Sequence, residues 1–188
     1  YNFGIGLKST VKKYVVAVFV DIQGAFDNLW WPAIRNRVVL VRSESVKIEK
    51  NMEKGCPQGS VIGPNAWNWC LDVLLNNLRE VDESNIEVNA YADDILFLIK
   101  GNSRKEIENL AEQVIRYVED WCCAHKLKVS ETKTVAMLVK GKLTGRYPTI
   151  KMNGKSIKYA DEIKYLGIMI DNKLNFISHV KYVRNKMA

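Results

Sequence analysis

A chain of 188 residues with 47% apolar and 26% charged side chains can bury one core of ordinary size, which excludes global disorder. No apolar run approaches the roughly 20 residues a membrane-spanning helix needs, and no signal-peptide pattern opens the sequence. The net charge of +7 is uneven: residues 1–94 carry 10 Lys and Arg against 12 Asp and Glu, and residues 95–188 carry 18 against 9, so the second half suits a polyanion such as nucleic acid.

The chain opens on Tyr1 rather than Met and reads as a piece of a longer protein. Residues 14–20, YVVAVFV, predict a strand buried on both faces and ending at Asp21. IQGAFDNLWWPAI follows as a turn and a short helix. Residues 55–63, GCPQGSVIG, are rich in turn formers, and Pro64 suits the first position of a helix. Trp67, Leu71, Leu74, Leu75 and Leu78 form one face of that helix. SNIEVNAYADDILFLIK reads as a hairpin with Asp93 and Asp94 near its tip. Ser103 and Glu106 make a capping-box pattern before a helical stripe of Ile107, Leu110, Ala111, Val114, Val118 and Trp121. KTVAMLVK at 133–140 gives another strand. Beyond Gly141, YPTIKMNG and IKYLGIMID are shorter β pieces, with Asn153-Gly154 as a turn. The four cysteines, Cys56, Cys70, Cys122 and Cys123, form no C-x-x-C pair and have only His125 and His179 to help them bind zinc. Reduced, mostly buried thiols in a reducing compartment are expected.

Strand, helix, strand, strand, helix, strand from 14 to 140 is the split βαβ arrangement: an α+β, ferredoxin-like βαββαβ antiparallel sheet with helices on one face, plus a small C-terminal β extension. Right-handed crossovers order its strands 4-1-3-2. Asp21 then ends the first strand beside the hairpin tip that carries Asp93 and Asp94. Three carboxylates on one sheet edge repel each other unless a cation meets them. Hard oxygen ligands with room for phosphate oxygens suit Mg²⁺, and two such ions about 3.5–4 Å apart clamp an in-line phosphoryl displacement. An Asp at a strand end, or a DD pair at a loop tip, is by itself more often a turn feature; their convergence points to the metal.

These residues resemble those of reverse transcriptases. YADD at 91–94 looks like the palm signature with two metal-binding aspartates. VFVDIQGAFDNLWW at 18–31 is similar to the preceding palm motif, with Asp21 as its metal ligand, and KGCPQGSVIGPNAWN at 54–68 to the motif between them. CPQGSVIGP followed by WN, with AFDNLWW, is closest to non-LTR (LINE-like) retrotransposons of the insect ribosomal-DNA-inserting type. ETKTVAMLVK resembles the motif whose lysine, here Lys133, protonates the leaving pyrophosphate. IKYLGIMID resembles the primer-grip strand, with Tyr165, Leu166 and Gly167 near the primer end. YNFGIGLKST looks like a stub of the fingers.

The resemblance implies a reverse transcriptase palm with a residual fingers stub over 1–140, and the primer-grip region and start of the thumb over 141–188. It implies RNA-directed DNA polymerisation, a two-metal nucleotidyl transfer onto a primer 3′-OH. Asp21, Asp93 and Asp94 are the expected ligands of two Mg²⁺ ions, with Mn²⁺ as a substitute. An RNA template, a DNA primer and dNTPs are the expected partners, and a nuclear setting follows because such elements prime on chromosomal DNA. Phe26 stands where the family places a ring against the sugar 2′ position, which would clash with a 2′-OH; read alone it is an ordinary core Phe. Gln58, Gly59 and Tyr91 would line the nucleotide pocket, Gly59 allowing close backbone approach and Gln58 offering donor and acceptor. Lys133 without its motif reads as a surface lysine, and Trp30 and Trp31 read as packing.

The sequence also departs from the family. Only 36 residues separate Asp21 from Gln58, as if a segment were removed near Val38. The main fingers, with the basic residues that hold a triphosphate, are absent, and so is the rest of a retrotransposon polyprotein. Positioning carries much of phosphoryl-transfer catalysis, so little polymerisation is expected of this chain alone. The alternative is an inactive palm remnant that acts only as a nucleic-acid-binding module. An RNA-recognition domain on the same fold would stack bases on central-strand aromatics, and 133–140 has none. Another two-metal nucleotidyl transferase or cyclase is disfavoured by CPQGS and YADD.

Overall fold

A computed structural model of the chain describes residues 12–29, 37–42, 47–52, 54–56, 62–143 and 145–187. The first strand, β1 (Tyr14–Asp21), is buried from Tyr14 to Val20. Its alternation serves two cores: Val16, Val18 and Val20 face one, and Val15, Ala17 and Phe19 the other. In chain order there follow α1 (Ala25–Asn28), β2 (Arg37–Arg42), β3 (Lys47–Met52), α2 (Ile62–Arg79), β4 (Ile86–Tyr91), β5 (Asp94–Gly101), α3 (Arg104–Ala124), β6 (Val135–Lys140), β7 (Lys151–Met152), β8 (Lys155–Ser156), β9 (Lys158–Tyr159), β10 (Glu162–Tyr165), β11 (Ile168–Asp171) and α4 (Ile177–Met187).

The main sheet has the order β4-β5-β1-β6-β9. Its four longer strands therefore take the order expected from right-handed crossovers, with β1 antiparallel to both β5 and β6. The fifth strand corrects the expectation of a wholly antiparallel sheet, because β9 runs parallel to β6. After Gly141 the chain passes over α3, burying Ile150, Met152 and Ile157 in the main core, and returns beside β6 in the same direction. The Ala160 amide donates to the Ala136 carbonyl at 2.9 Å. Short as it is, β9 occupies an edge that would otherwise offer unpaired backbone groups.

Helices α2 and α3 cover one face. Trp67, Leu71, Leu74 and Leu78 of α2 are buried, as are Ile107, Ala111, Val114, Val118 and Trp121 of α3. Burying a side chain such as Leu74 or Phe97 contributes about 1.5–3 kcal/mol. Pro64 is the third helical residue rather than the first, still inside the turn whose amides have no helical acceptor. At the start of α3 the Ser103 hydroxyl accepts from the Glu106 amide at 3.1 Å. The Glu106 carboxylate reaches back to the amide of Asn102, at 2.8 Å, which closes the predicted capping box one residue early.

The opposite face carries the β10–β11 hairpin, whose Tyr165 and Ile170 pack on Val15, Phe19, Leu96, Leu98 and Met137. Its two-residue turn puts both Leu166 (φ 47°) and Gly167 (φ 82°) in the left-handed region. The predicted Asn153-Gly154 turn between β7 and β8 has the same character. The Asp171 carboxylate accepts from the amides of Lys173 and Phe176, each at 3.0 Å, and so leads the chain into α4. The four cysteines are reduced thiols, three of them buried and Cys123 exposed. Burial pushes the Cys70 thiol up to about 11, and burial above all pushes Cys122 up to about 12. Among the described residues, no helix is long and apolar enough to cross a membrane.

Candidate active site

The last residue of β1 and the first of β5 are both aspartates, and they are Cα partners: Asp21 faces Asp94. Tyr91, the last residue of β4, faces Asp94 from the other side. Between Tyr91 and Asp94 the chain turns through Ala92, whose φ of 52° is left-handed, and Asp93. The indole N–H of Trp67 on α2 donates to the Ala92 carbonyl at 2.7 Å and ties this turn to the core.

The loop before β6 closes on the same edge. The Ser130 amide donates to the Asp21 carbonyl at 2.8 Å, and the Asp21 amide approaches the Thr134 hydroxyl at 3.5 Å. That loop carries Lys133, whose Nζ lies 3.3 Å from Asp21 Oδ1. The other oxygen, Asp21 Oδ2, is buried without a hydrogen-bond partner. Burial first, then the charges of Asp93 and Asp21, hold the Asp94 carboxyl above the usual carboxylate range, with Lys133 acting the other way. A buried, unpaired carboxylate oxygen beside a charge-strained second carboxyl is a donor set that fits a hard divalent cation.

An open cleft of about 320 Å³ lies at this edge, lined by Phe19, Asp21, Asp94, Lys133, Lys164 and Tyr165 among others. Tyr165 packs edge-on against Phe19, with ring centroids 5.3 Å apart. Burial, and then the nearby Asp94 charge, push its hydroxyl up to about 12, so it remains a neutral donor.

The expected site residues divide into three groups. Asp21, Asp94, Lys133 and Tyr165 come together at the cleft. Asp93 adjoins them, but among the described residues no three His, Cys, Asp or Glu side chains form a ready-made metal cage. Mg²⁺ commonly takes one or two carboxylates and completes its shell from substrate phosphates and water. Leu166 and Gly167 sit at the exposed hairpin tip, and Tyr91 is exposed. Phe26 is half-buried against Trp67, ring centroids 5.8 Å apart, and does not line the cleft. Gln58, Gly59, Trp30 and Trp31 lie outside the described residues. Three participants were missed in the sequence. Thr134 and Lys164 carry no motif of their own, and Trp67 shows only as one member of an apolar helical face.

A carboxylate pair of the kind that suits a divalent cation, flanked by lysines at the end of a sheet and open to solvent, is a site suited to phosphate-bearing substrates. Residues 5–170 match the model of one family, Reverse transcriptase (RNA-dependent DNA polymerase), and the chain belongs to that family. The family is one of nucleotidyltransferases. The chain is 35% identical to the putative 115 kDa protein in type-1 retrotransposable element R1DM of Drosophila melanogaster, with 96% of this chain and 19% of the relative covered. It is 33% identical to the retrovirus-related Pol polyprotein from type-1 retrotransposable element R1 of Bradysia coprophila, over 93% of this chain and 19% of that one. The RNA-directed DNA polymerase from mobile element jockey of D. melanogaster is 28% identical, over 92% and 21%. The insect R1 resemblance carried by CPQGSVIGP and AFDNLWW is thus borne out.

The chain spans about a fifth of the length of these curated relatives. The alignment to the R1DM protein runs over 199 residues, more than this whole chain has, so that relative carries residues this chain lacks within the matched stretch. Among solved structures, apo telomerase from Candida tropicalis, truncated from its C-terminal domain, matches with a TM-score of 0.51 at 12% identity. The match covers 91% of this chain and 36% of that one, and it speaks for the fold alone.

Proposed function

We propose that this chain is the palm segment of an RNA-directed DNA polymerase from a non-LTR retrotransposon, adding dNTPs to the 3′-OH of a DNA primer on an RNA template. The observation that carries the reading is the Asp21–Asp94 pairing at the mouth of a cleft that also holds Lys133 and Tyr165. The four longer strands with two helices on one face are read as the ferredoxin-like palm. Asp21 and Asp94, with Asp93 beside them, would hold Mg²⁺, which when bound lowers the pKa of the primer hydroxyl and offsets charge on the leaving pyrophosphate.

The other roles belong to the chain's own groups. Lys133 gives a proton to the departing pyrophosphate and leaves Asp21 to do so. Tyr165, fixed on Phe19, holds the primer end with Leu166 and Gly167. Phe26, packed on Trp67, would meet the sugar of a bound nucleotide, and Tyr91 would line the nucleotide pocket. A nuclear setting belongs to the same proposal. Turnover is weak, because the residues this chain lacks relative to its R1 relative leave the triphosphate poorly positioned, and a misplacement of about 1 Å costs on the order of 100-fold.

Primer extension tests this. Purified protein receives a labelled DNA primer on an RNA template with dNTPs and Mg²⁺, beside a double variant, Asp93→Asn with Asp94→Asn. Slow extension that the double variant loses is the expected result. Absence of extension at high enzyme concentration would leave a palm remnant that binds nucleic acid without catalysis.

A further inference from the structure

Trp67 is wholly buried, and it touches both the aspartate turn and the Phe26 ring. Its indole N–H donates to the Ala92 carbonyl at 2.7 Å. Ala92 is a non-glycine residue at φ 52°, a conformation that a β-carbon disfavours and that persists only when something holds it. The other side of the ring is braced by Trp121, edge-on at 6.1 Å, and the Trp121 indole donates to the Cys70 carbonyl at 3.2 Å. Trp67 is therefore braced by Trp121 of α3, itself anchored on the Cys70 carbonyl of α2, and it fixes in turn the chain immediately before Asp93 and Asp94. Losing its N–H would leave a half-buried carbonyl without that donor and free the turn to leave the left-handed region.

We propose that Trp67 is a positioning residue that sets the Asp93–Asp94 turn and the Phe26 ring as one unit, so that metal affinity and sugar discrimination depend on a single indole. The inference rests on the functional reading above for its metal and sugar readouts, but its structural core does not. Trp67→Phe keeps a ring and removes the donor. Ala92→Gly removes the β-carbon penalty, so the turn no longer needs the bond to hold it.

The test measures Mn²⁺ affinity, dNTP-over-rNTP preference in primer extension, and hydrogen exchange at the amides of 92–94, all on the full chain. Trp67→Phe should weaken Mn²⁺ binding about tenfold, the size expected for one buried hydrogen bond, lower the sugar preference, and speed exchange at 92–94. Adding Ala92→Gly should restore most of the Mn²⁺ affinity while the sugar preference stays low, a split that general loosening of the core would not produce. Unchanged exchange at 92–94, or no rescue by Ala92→Gly, overturns the proposal. Should Trp67→Phe fail to fold, the Trp67 indole N–H resonance of the wild-type chain decides: it must shift on adding Mg²⁺ and not shift in Asp94→Asn, and indifference to Mg²⁺ that does bind overturns the proposal. If Mn²⁺ binding to wild type is itself insensitive to Asp94→Asn, the metal reading fails, and accelerated exchange in Trp67→Phe still upholds the positioning role.

Discussion

Asp21 and Asp94 oppose each other across the end of the β1–β5 ladder, and the Lys133 ammonium reaches only one oxygen of the pair. Burial and two neighbouring aspartates already disfavour the Asp94 charge. Neutralising it should therefore stabilise the metal-free protein. Asp94→Asn is expected to raise the melting temperature in EDTA by a few degrees, about 1 kcal/mol or less because the group is largely open to solvent screening, while Mn²⁺ binding is lost. A lower melting temperature would mean that Asp94 makes a favourable contact that outweighs the repulsion.

Lys133 stands beside Asp21 where a metal would sit, so its removal has two opposite consequences. Lys133→Gln should tighten Mn²⁺ binding by up to about fivefold, since an ion pair this exposed is worth at most about 1 kcal/mol. Single-turnover extension should fall on the order of 100-fold if the lysine acts as the acid. Calorimetric Mn²⁺ titration and rapid-quench kinetics separate the two. Tighter binding with undiminished turnover would make Lys133 a partner of the empty carboxylate and nothing more.

What was legible in the sequence, and what was not, follows from the range of the signal. YVVAVFV reads as a doubly buried strand, and YADD between two apolar runs as a hairpin tip. With the stripes of α2 and α3, they led to the strand order and brought Asp21 to Asp94. The β2–β3 hairpin was passed over, although the run Val38–Val41 and the Ser43 and Ser45 after it are a strand and a turn signal. The helix α4 buries no residue, so its Ile177, Val180 and Val183 gave no core to predict. A two-residue parallel strand such as β9 has no periodicity at all. The Trp67–Ala92 bond was invisible for another reason: spacing shows which face a tryptophan occupies, never what its N–H meets.

The cap of α3 gives the protein an acid sensitivity of definite sign. Glu106 is held below the usual carboxylate range, first by the Asn102 amide and then by Lys12. A carboxyl whose folded pKa is depressed contributes stability that is present above its unfolded value, about 4.3, and that is lost as pH falls through the lower folded value. Urea unfolding between pH 5 and 3 should show wild type losing stability relative to Glu106→Gln, which keeps an acceptor for the amide but has no proton to take up. Parallel curves would show that the pair with Lys12 is already lost to solvent.

Leu166 is one of several non-glycine residues held at positive φ, with Leu174 and Phe176 among the others. It occupies the first position of a two-residue hairpin turn at φ 47°, where Asn or Gly is favoured and a leucine costs about 1 kcal/mol. Its side chain is partly open to solvent, so core packing does not account for the choice. It also follows Tyr165, which lines the cleft. Under the primer contact proposed above, that strain would be one the site uses. Leu166→Asn should raise the melting temperature by about 2–4 °C and at the same time weaken extension, with the loss appearing in the KM for primer. A stabilised variant that extends primers as well as wild type would show that the leucine is strained to no purpose at this site, and would remove Leu166 from the primer contact while leaving Tyr165 in it.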